Sequence, residues 1–294
     1  MNVLIKRNIK LFFRDKTAVF FSLLDVLIII VLYAVFLGRV WLPDSMANNA
    51  SFKNTDLLMN DWLMAGILAV ASVTTTFSAF GVMIEDKTKK ISKDFYSSPI
   101  KKSSITLGYI GNAFSIGVIM SFITTLVAEI YIVANGGAWL SPFACLKVFL
   151  LILLTTMANT SMVCFIVSFF KSHSAFTTAS TTISTLIGFL TGIYLPIGNL
   201  PESVQTVIKI FPFSHTASLF RQILMKNSIQ TVFEKVPANY VNEFKEHMGI
   251  TMRFGNYEVT PFISIMVLIA TTFVFYGLTV LNMSIKRSSS FSAS

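Results

Sequence analysis

Six long apolar runs divide the chain, at about 17–38, 62–84, 104–134, 142–170, 174–197 and 261–285. Each holds at least about 20 residues with few charges, enough to cross a ~30 Å hydrocarbon core at about 1.5 Å per residue. The pattern predicts six membrane-spanning helices, the third and fourth long enough to tilt or emerge. Residues 1–16 follow a different period. At about 100° per residue, Lys6, Arg7, Lys10 and Arg14 share one arc, and Leu4, Ile5, Ile9, Leu11, Phe12 and Phe13 take the other side. This predicts an amphipathic helix at the membrane interface, its basic face toward anionic headgroups. The run behind it is too long for the apolar region of a cleaved signal, and no small-residue cleavage site is evident.

Between the fifth and sixth runs the period changes again. Residues 193–227 read as two short helices broken by proline. One starts near Pro201 and ends near Phe211, because Pro212 pushes the residue before it out of the α region; the other runs from about Ser214 to Met225. Both carry apolar faces (Val204, Val207, Ile208 and Phe211, then Leu219, Phe220, Ile223 and Leu224). At about 15–18 Å each they are too short to span, which predicts a re-entrant hairpin buried in protein or lining a cavity. Residues 228–260 are soluble in character. A helix between Pro237 and Gly249 and a two-stranded hairpin around Gly255-Asn256 are expected to form a small external cap.

Composition supports this reading. The chain has 294 residues, 54% hydrophobic and 13% charged, against about 25% charged in a soluble domain. The net charge of +9 would suit a nucleic-acid partner, but its distribution favours a membrane surface. With the N-terminus inside, 14 of the 23 Lys and Arg fall on the inner side and 9 on the outer side, so both termini are expected in the cytoplasm and no nucleic acid is expected to bind. Trp41 and Trp62 flank the first external loop (about 39–61), and Trp139 follows the turn at Asn135-Gly-Gly137, as interfacial aromatics do. Cys145 and Cys164 lie in apolar runs and read as inert core thiols. The three histidines are too far apart in sequence to suggest a metal site.

Four groups of residues carry candidate chemistry. The cytoplasmic loop 85–102 opens with Glu85 and Asp86 and holds a short helix whose Ile91, Phe95 and Tyr96 share a face before Pro99 ends it; an apolar face among charges implies a docking partner. In the fifth run Ser174, Thr177, Thr178, Thr181, Thr185, Gly188 and Gly192 form one polar, small-residue stripe, which suits a translocation path or a close helix interface. Thr74, Thr75, Thr76 and Ser78 in the second run are a weaker signal of the same kind. Asp25 and Glu129 are carboxylates inside spans, functional by default or else paired or reaching the interface. There is no Gly-x-x-x-x-Gly-Lys-[Ser/Thr], no His-Glu-x-x-His and no Gly-x-Ser-x-Gly, so the chain is not expected to be an enzyme by itself.

The order Gly192, Pro196, Leu200-Pro201, Pro212 and Arg221 before the last span resembles the signature of the ABC transporter type-2 permeases, the membrane subunits of bacterial ATP-driven exporters. The acidic pair Glu85-Asp86 and the Ser98-Pro99-Ile100 ending resemble that family's coupling loop. The resemblance covers nearly the whole chain. It implies an all-α integral membrane protein of the bacterial cytoplasmic membrane: an elbow helix at 1–16, a six-span permease domain at 17–285 and a cytoplasmic tail at 286–294. The domain would contain the coupling loop 85–102, the re-entrant hairpin 193–227 with Pro196, Pro201, Pro212 and Arg221, and the external cap 228–260. It implies two copies of a cytoplasmic ABC ATPase as partners, a second permease copy (identical or related), and ATP and Mg bound by the ATPase rather than by this chain. The function so implied is outward movement of an amphipathic drug, peptide or lipid-like substrate. The competing readings are an ion-gradient-driven transporter using Asp25 or Glu129, and a membrane scaffold.

Overall fold

The computed structural model describes residues 1–33, 55–100 and 102–291, without the side chains of Asp25, Leu32, Tyr96, residues 102–103 and residues 283–291. Within them the protein is helical apart from one small hairpin. Helices α1 (Asn2–Arg14) and α2 (Lys16–Leu32) meet at Asp15, whose carboxylate caps α2 by accepting from Ala18 N at 3.0 Å. Then come α3 (Thr55–Thr88), α4 (Ile91–Ser97), α5 (Lys102–Ala134), α6 (Pro142–Val167) and α7 (His173–Leu190). A 3-10 turn (Ile197–Asn199) leads to α8 (Glu202–Ile210), α9 (Pro212–Leu224), α10 (Lys226–Val232) and α11 (Ala238–His247). Strands β1 (Met252–Phe254) and β2 (Tyr257–Val259) pair antiparallel with Arg253 opposite Glu258, and α12 (Pro261–Phe291) closes the described chain.

Among the described residues, four helices are long and apolar enough to cross a membrane: Thr55–Thr88, Ser104–Ala134, Pro142–Val167 and Pro261–Asn282. The expected first span, 17–38, is described only as far as Tyr33. The expected fifth span, 174–197, is corrected: α7 stops at Leu190. Gly192 takes φ +67°, Ile193 N donates to Gly188 O at 3.1 Å and Gly192 N to Phe189 O at 3.0 Å. This is the left-handed C-terminal cap that glycine allows at no steric cost. Eighteen residues give α7 about 27 Å, and its hydroxyls keep it out of the apolar set.

The second span is also longer than its apolar run. Its helix starts at Thr55, inside what reads as an external loop, so Trp62 lies in the core and not at an interface. Trp41 lies outside the described residues. Helix α3, about 50 Å long, packs against α1, α2, α4, α5, α6, α7, α9 and α10, and nearly every residue from Leu58 to Val73 is buried. Small and polar side chains set the close approaches. A Cβ at Gly117 of α5 would meet Thr156 Cγ2 at 2.7 Å and Thr76 Oγ1 at 3.1 Å. Asn159 Nδ2 donates to Ser72 Oγ at 2.9 Å, joining α6 to α3. Helix α1 lies on α5 in the same way, with Leu4 over Gly108 and Ile5 over Gly111. Cys164 is buried as expected, whereas Cys145, on the outward face of α6, is exposed.

The two prolines divide 193–227 as the sequence predicts: Pro201 precedes α8, and Pro212 opens α9, where its missing N–H costs nothing. The two helices bury differently. Helix α9 is almost fully enclosed, while α8 leaves Val204, Val207 and Ile210 exposed and buries Ile208. Arg221 on α9 is fully buried. Its guanidinium lies 4.7 Å from the Trp62 ring centroid and donates to Gly192 O at 3.2 Å and Gly249 O at 3.4 Å. Trp62 Nε1 in turn donates to Met248 O at 2.8 Å. One side chain thus joins α3, the end of α7 and the cap. Arg221→Lys keeps the charge but loses the planar fork and the stacking. We expect it to destabilise the detergent-solubilised protein by about 2–4 kcal/mol, read as a lower apparent Tm by fluorescence-detected gel filtration; an unchanged Tm would refute the clamp.

Candidate functional site

A groove of about 1010 Å³ opens between α2, α3 and α7, with α1 at one end. Along α7 it is lined by Phe176, Thr177, Ser180, Thr181, Ser184 and Thr185, and across it stand Thr74 and Ser78 of α3. Phe21 and Ile28 of α2 form the third wall. The hydroxyls can face an apolar body because each threonine donates within its own helix. Thr177 Oγ1 bonds His173 O at 2.8 Å, Thr181 Oγ1 bonds Thr177 O at 3.0 Å, and Thr185 Oγ1 bonds Thr181 O at 3.0 Å. The donors are spent and the oxygens can still accept a hydrogen bond.

The groove gathers part of the predicted stripe. Thr177, Thr181 and Thr185 line it, and all three are exposed in the single chain. Ser174 and Thr178 are exposed beside it. Gly188 is buried beneath the Tyr194 ring, which leaves no room for a Cβ there. Ser180 and Ser184 extend the stripe at the i+3 and i+7 positions from Thr177, a helical spacing legible in the sequence.

Arg7, Glu85, Asp86, Lys89 and His173 stand at the α1 end of the groove. Here the structure joins residues that lie far apart in the sequence. Arg7 Nη1 and Nη2 reach Asp86 Oδ2 and Oδ1 at 2.7 and 2.9 Å, a two-pronged pair. Tyr109 of α5 donates to Asp86 Oδ2 at 2.7 Å. The Arg7 guanidinium also sits 5.3 Å from the Phe95 ring centroid, and the hydrogen bond to Asp86 raises its pKa above the ordinary arginine value. Asp86 is therefore buried and spent inside the chain, and Arg7 is held by it and not turned to headgroups. Glu85 pairs with Lys89 on the surface.

On α4, Phe95 packs against the chain's own core and Ile91 borders the groove. The faces left open at this corner are those of Lys93, Asp94, Ser97, Pro99 and Ile100. The side chains of Tyr96 and Asp25 lie outside the described residues. Pro196 begins the 3-10 turn before α8, Pro201 and Pro212 bound α8, and Arg221 is the buried clamp. Glu129 is at the other end of the bundle, where its Oε2 accepts from Leu140 N at 3.1 Å.

Residues 1–225, from α1 through the hairpin, match the family model described as ABC-2 type transporter. The chain belongs to the ABC-2 type transporter family, and it is the membrane component: a permease of the kind that works with an ATP-binding subunit. No curated protein sequence matches it closely enough to add a relative to that assignment.

The Arg7–Asp86 pair predicts a particular pattern of coupling. Arg7→Gln and Asp86→Asn are each expected to destabilise the protein by about 1–3 kcal/mol, and the double variant by little more than either single. Additive losses in thermal unfolding would mean that the two side chains act independently.

Proposed function

We infer that the chain is the permease of an ATP-driven exporter that carries an amphipathic substrate (a drug, a peptide or a lipid) outward by alternating access. The observation that carries this reading is the groove: a long, half-open channel with hydroxyls along one wall and apolar side chains along another. Its α7 wall is exposed in a single chain, which suits a second copy, identical or related, closing the path. On this reading α2 and α7 complete six crossings, both termini lie in the cytoplasm of a bacterial cell, and α1 is the interfacial elbow. Two cytoplasmic ATPase subunits bind ATP and Mg and dock at α4 and its flanks. Their closure moves that corner, and the Arg7–Asp86–Tyr109 node passes the movement to α1, α3 and α5.

The direct test is reconstitution in lipid with a candidate ATP-binding subunit. A stable complex with vanadate-sensitive ATPase and outward transport is expected; a folded permease that forms no complex would favour a gradient-driven transporter. Thr181→Leu with Thr185→Leu should lower transport by about tenfold or more, a 1.4 kcal/mol step, with assembly intact. Full transport would leave the stripe a helix-packing surface. For orientation, Asn242→Cys on the exposed face of α11, in a Cys145→Ser background, is expected to label from outside intact cells. Labelling only after permeabilisation would reverse the topology.

A further inference from the structure

At the opposite end of α3 from Asp86 there is a second, smaller cavity of about 190 Å³, far above the ~10–15 Å³ that one water needs. It lies between the start of α3, the end of α5 with the turn after it, and α10. Two carboxylates line it: Asp61, 8% exposed, and Glu129, 7% exposed. Neither has a cationic partner among the described residues. Glu129 has the Leu140 N–H. Asp61 has the neutral Ser228 hydroxyl within hydrogen-bonding reach, a group that also has Met225 O as an acceptor at 3.1 Å. Among the described residues no other donor is directed at the Asp61 oxygens. Buried carboxylates without a counter-charge are costly, so a positive charge brought into this cavity would be held there.

The walls indicate which kind of cation. Leu57, Ile132 and Val232 are apolar, while Asn227 and Thr231 add neutral polar groups. Among the described residues no three acidic, histidine or cysteine side chains converge as metal ligands, and a hard divalent ion takes six or more oxygens. We propose that the cavity between α3, α5 and α10 binds an organic ammonium group carried on a small apolar body, with Asp61 and Glu129 as its counter-charges. The ammonium donates its hydrogen bonds to the two carboxylates, and the alkyl part rests on the leucine, isoleucine and valine. The proposal rests on the permease reading solely for the side of the membrane that the cavity faces, which would be the outside.

The test is calorimetric titration of the purified permease, without its ATPase subunit, with n-butylammonium, n-butanol, Na⁺ and Ca²⁺. Saturable binding of n-butylammonium is expected, with none for n-butanol. Asp61→Asn and Glu129→Gln are each expected to weaken it tenfold or more while the protein stays monodisperse in gel filtration. Because both variants remove a buried charge and keep the shape, folding should survive; if one fails to fold, the other decides. No saturable binding, equal binding by either folded variant, or tighter binding of Ca²⁺ would overturn the proposal. So would a large gain in ammonium affinity on Arg39→Gln or Lys53→Gln, because the chain would then supply the cation itself. As no ATPase is present, failure here is distinguishable from failure of the exporter reading.

Discussion

An arginine held in the core with no carboxylate partner among the described residues is the constraint on which the cap end of the structure depends. Arg221 is compensated by two glycine carbonyls and the face of Trp62. Gly192 and Gly249 both have positive φ, the conformation that turns the chain at the end of α7 and of α11. A Cβ at Gly249 would stand 3.0 Å from the guanidinium. The charge and the turns therefore require one another. Without the turns the carbonyls would not converge, and without the guanidinium they would be buried with no donor. The clamp fixes where α7 stops, where α9 lies and how the cap sits on α3.

Helix α3 relates that clamp to the rest of the chain. Trp62 carries the clamp, Thr74 and Ser78 face the groove, and Asp86 binds Arg7 and Tyr109 at the far end. From Asp61 to Asp86 the helix rises about 37 Å, more than the hydrocarbon thickness. A rod packed along its whole length moves as a unit. On the proposed mechanism, movement imposed on the α4 corner would be carried along the groove to the smaller cavity at the other end of α3.

Much of this was legible in the sequence because it rests on local rules. The amphipathic first helix, the proline breaks at Pro201 and Pro212, the helix before Gly249 and the hairpin at Gly255-Asn256 are each set by a few neighbouring residues. The groove was half legible. The threonine spacing on α7 marked a polar face, but which of its members open into the groove depends on α2, α3 and Tyr194. What the sequence hid were the pairings between distant residues. Arg7 reads as one base among several at an interface, and Asp86 as an acid offered to a partner, until the fold sets them 2.7 Å apart. Asp61 and Trp62 read as the edge of a loop because the apolar run starts only at Trp62, while the helix starts earlier, at Thr55. No local pattern marks a tryptophan that will lie under an arginine 159 positions away.

The central claim is that the hydroxyl-lined groove is half of a path completed by a second copy. Thr181→Cys in a background with both native cysteines replaced by serine, treated in native membranes with bismaleimides of graded length, tests this most directly. The account predicts a covalent dimer whose yield depends on the length of the cross-linker and falls when vanadate traps the assembled transporter. Thr181→Cys that labels freely with a monofunctional maleimide but yields no dimer at any length would contradict it.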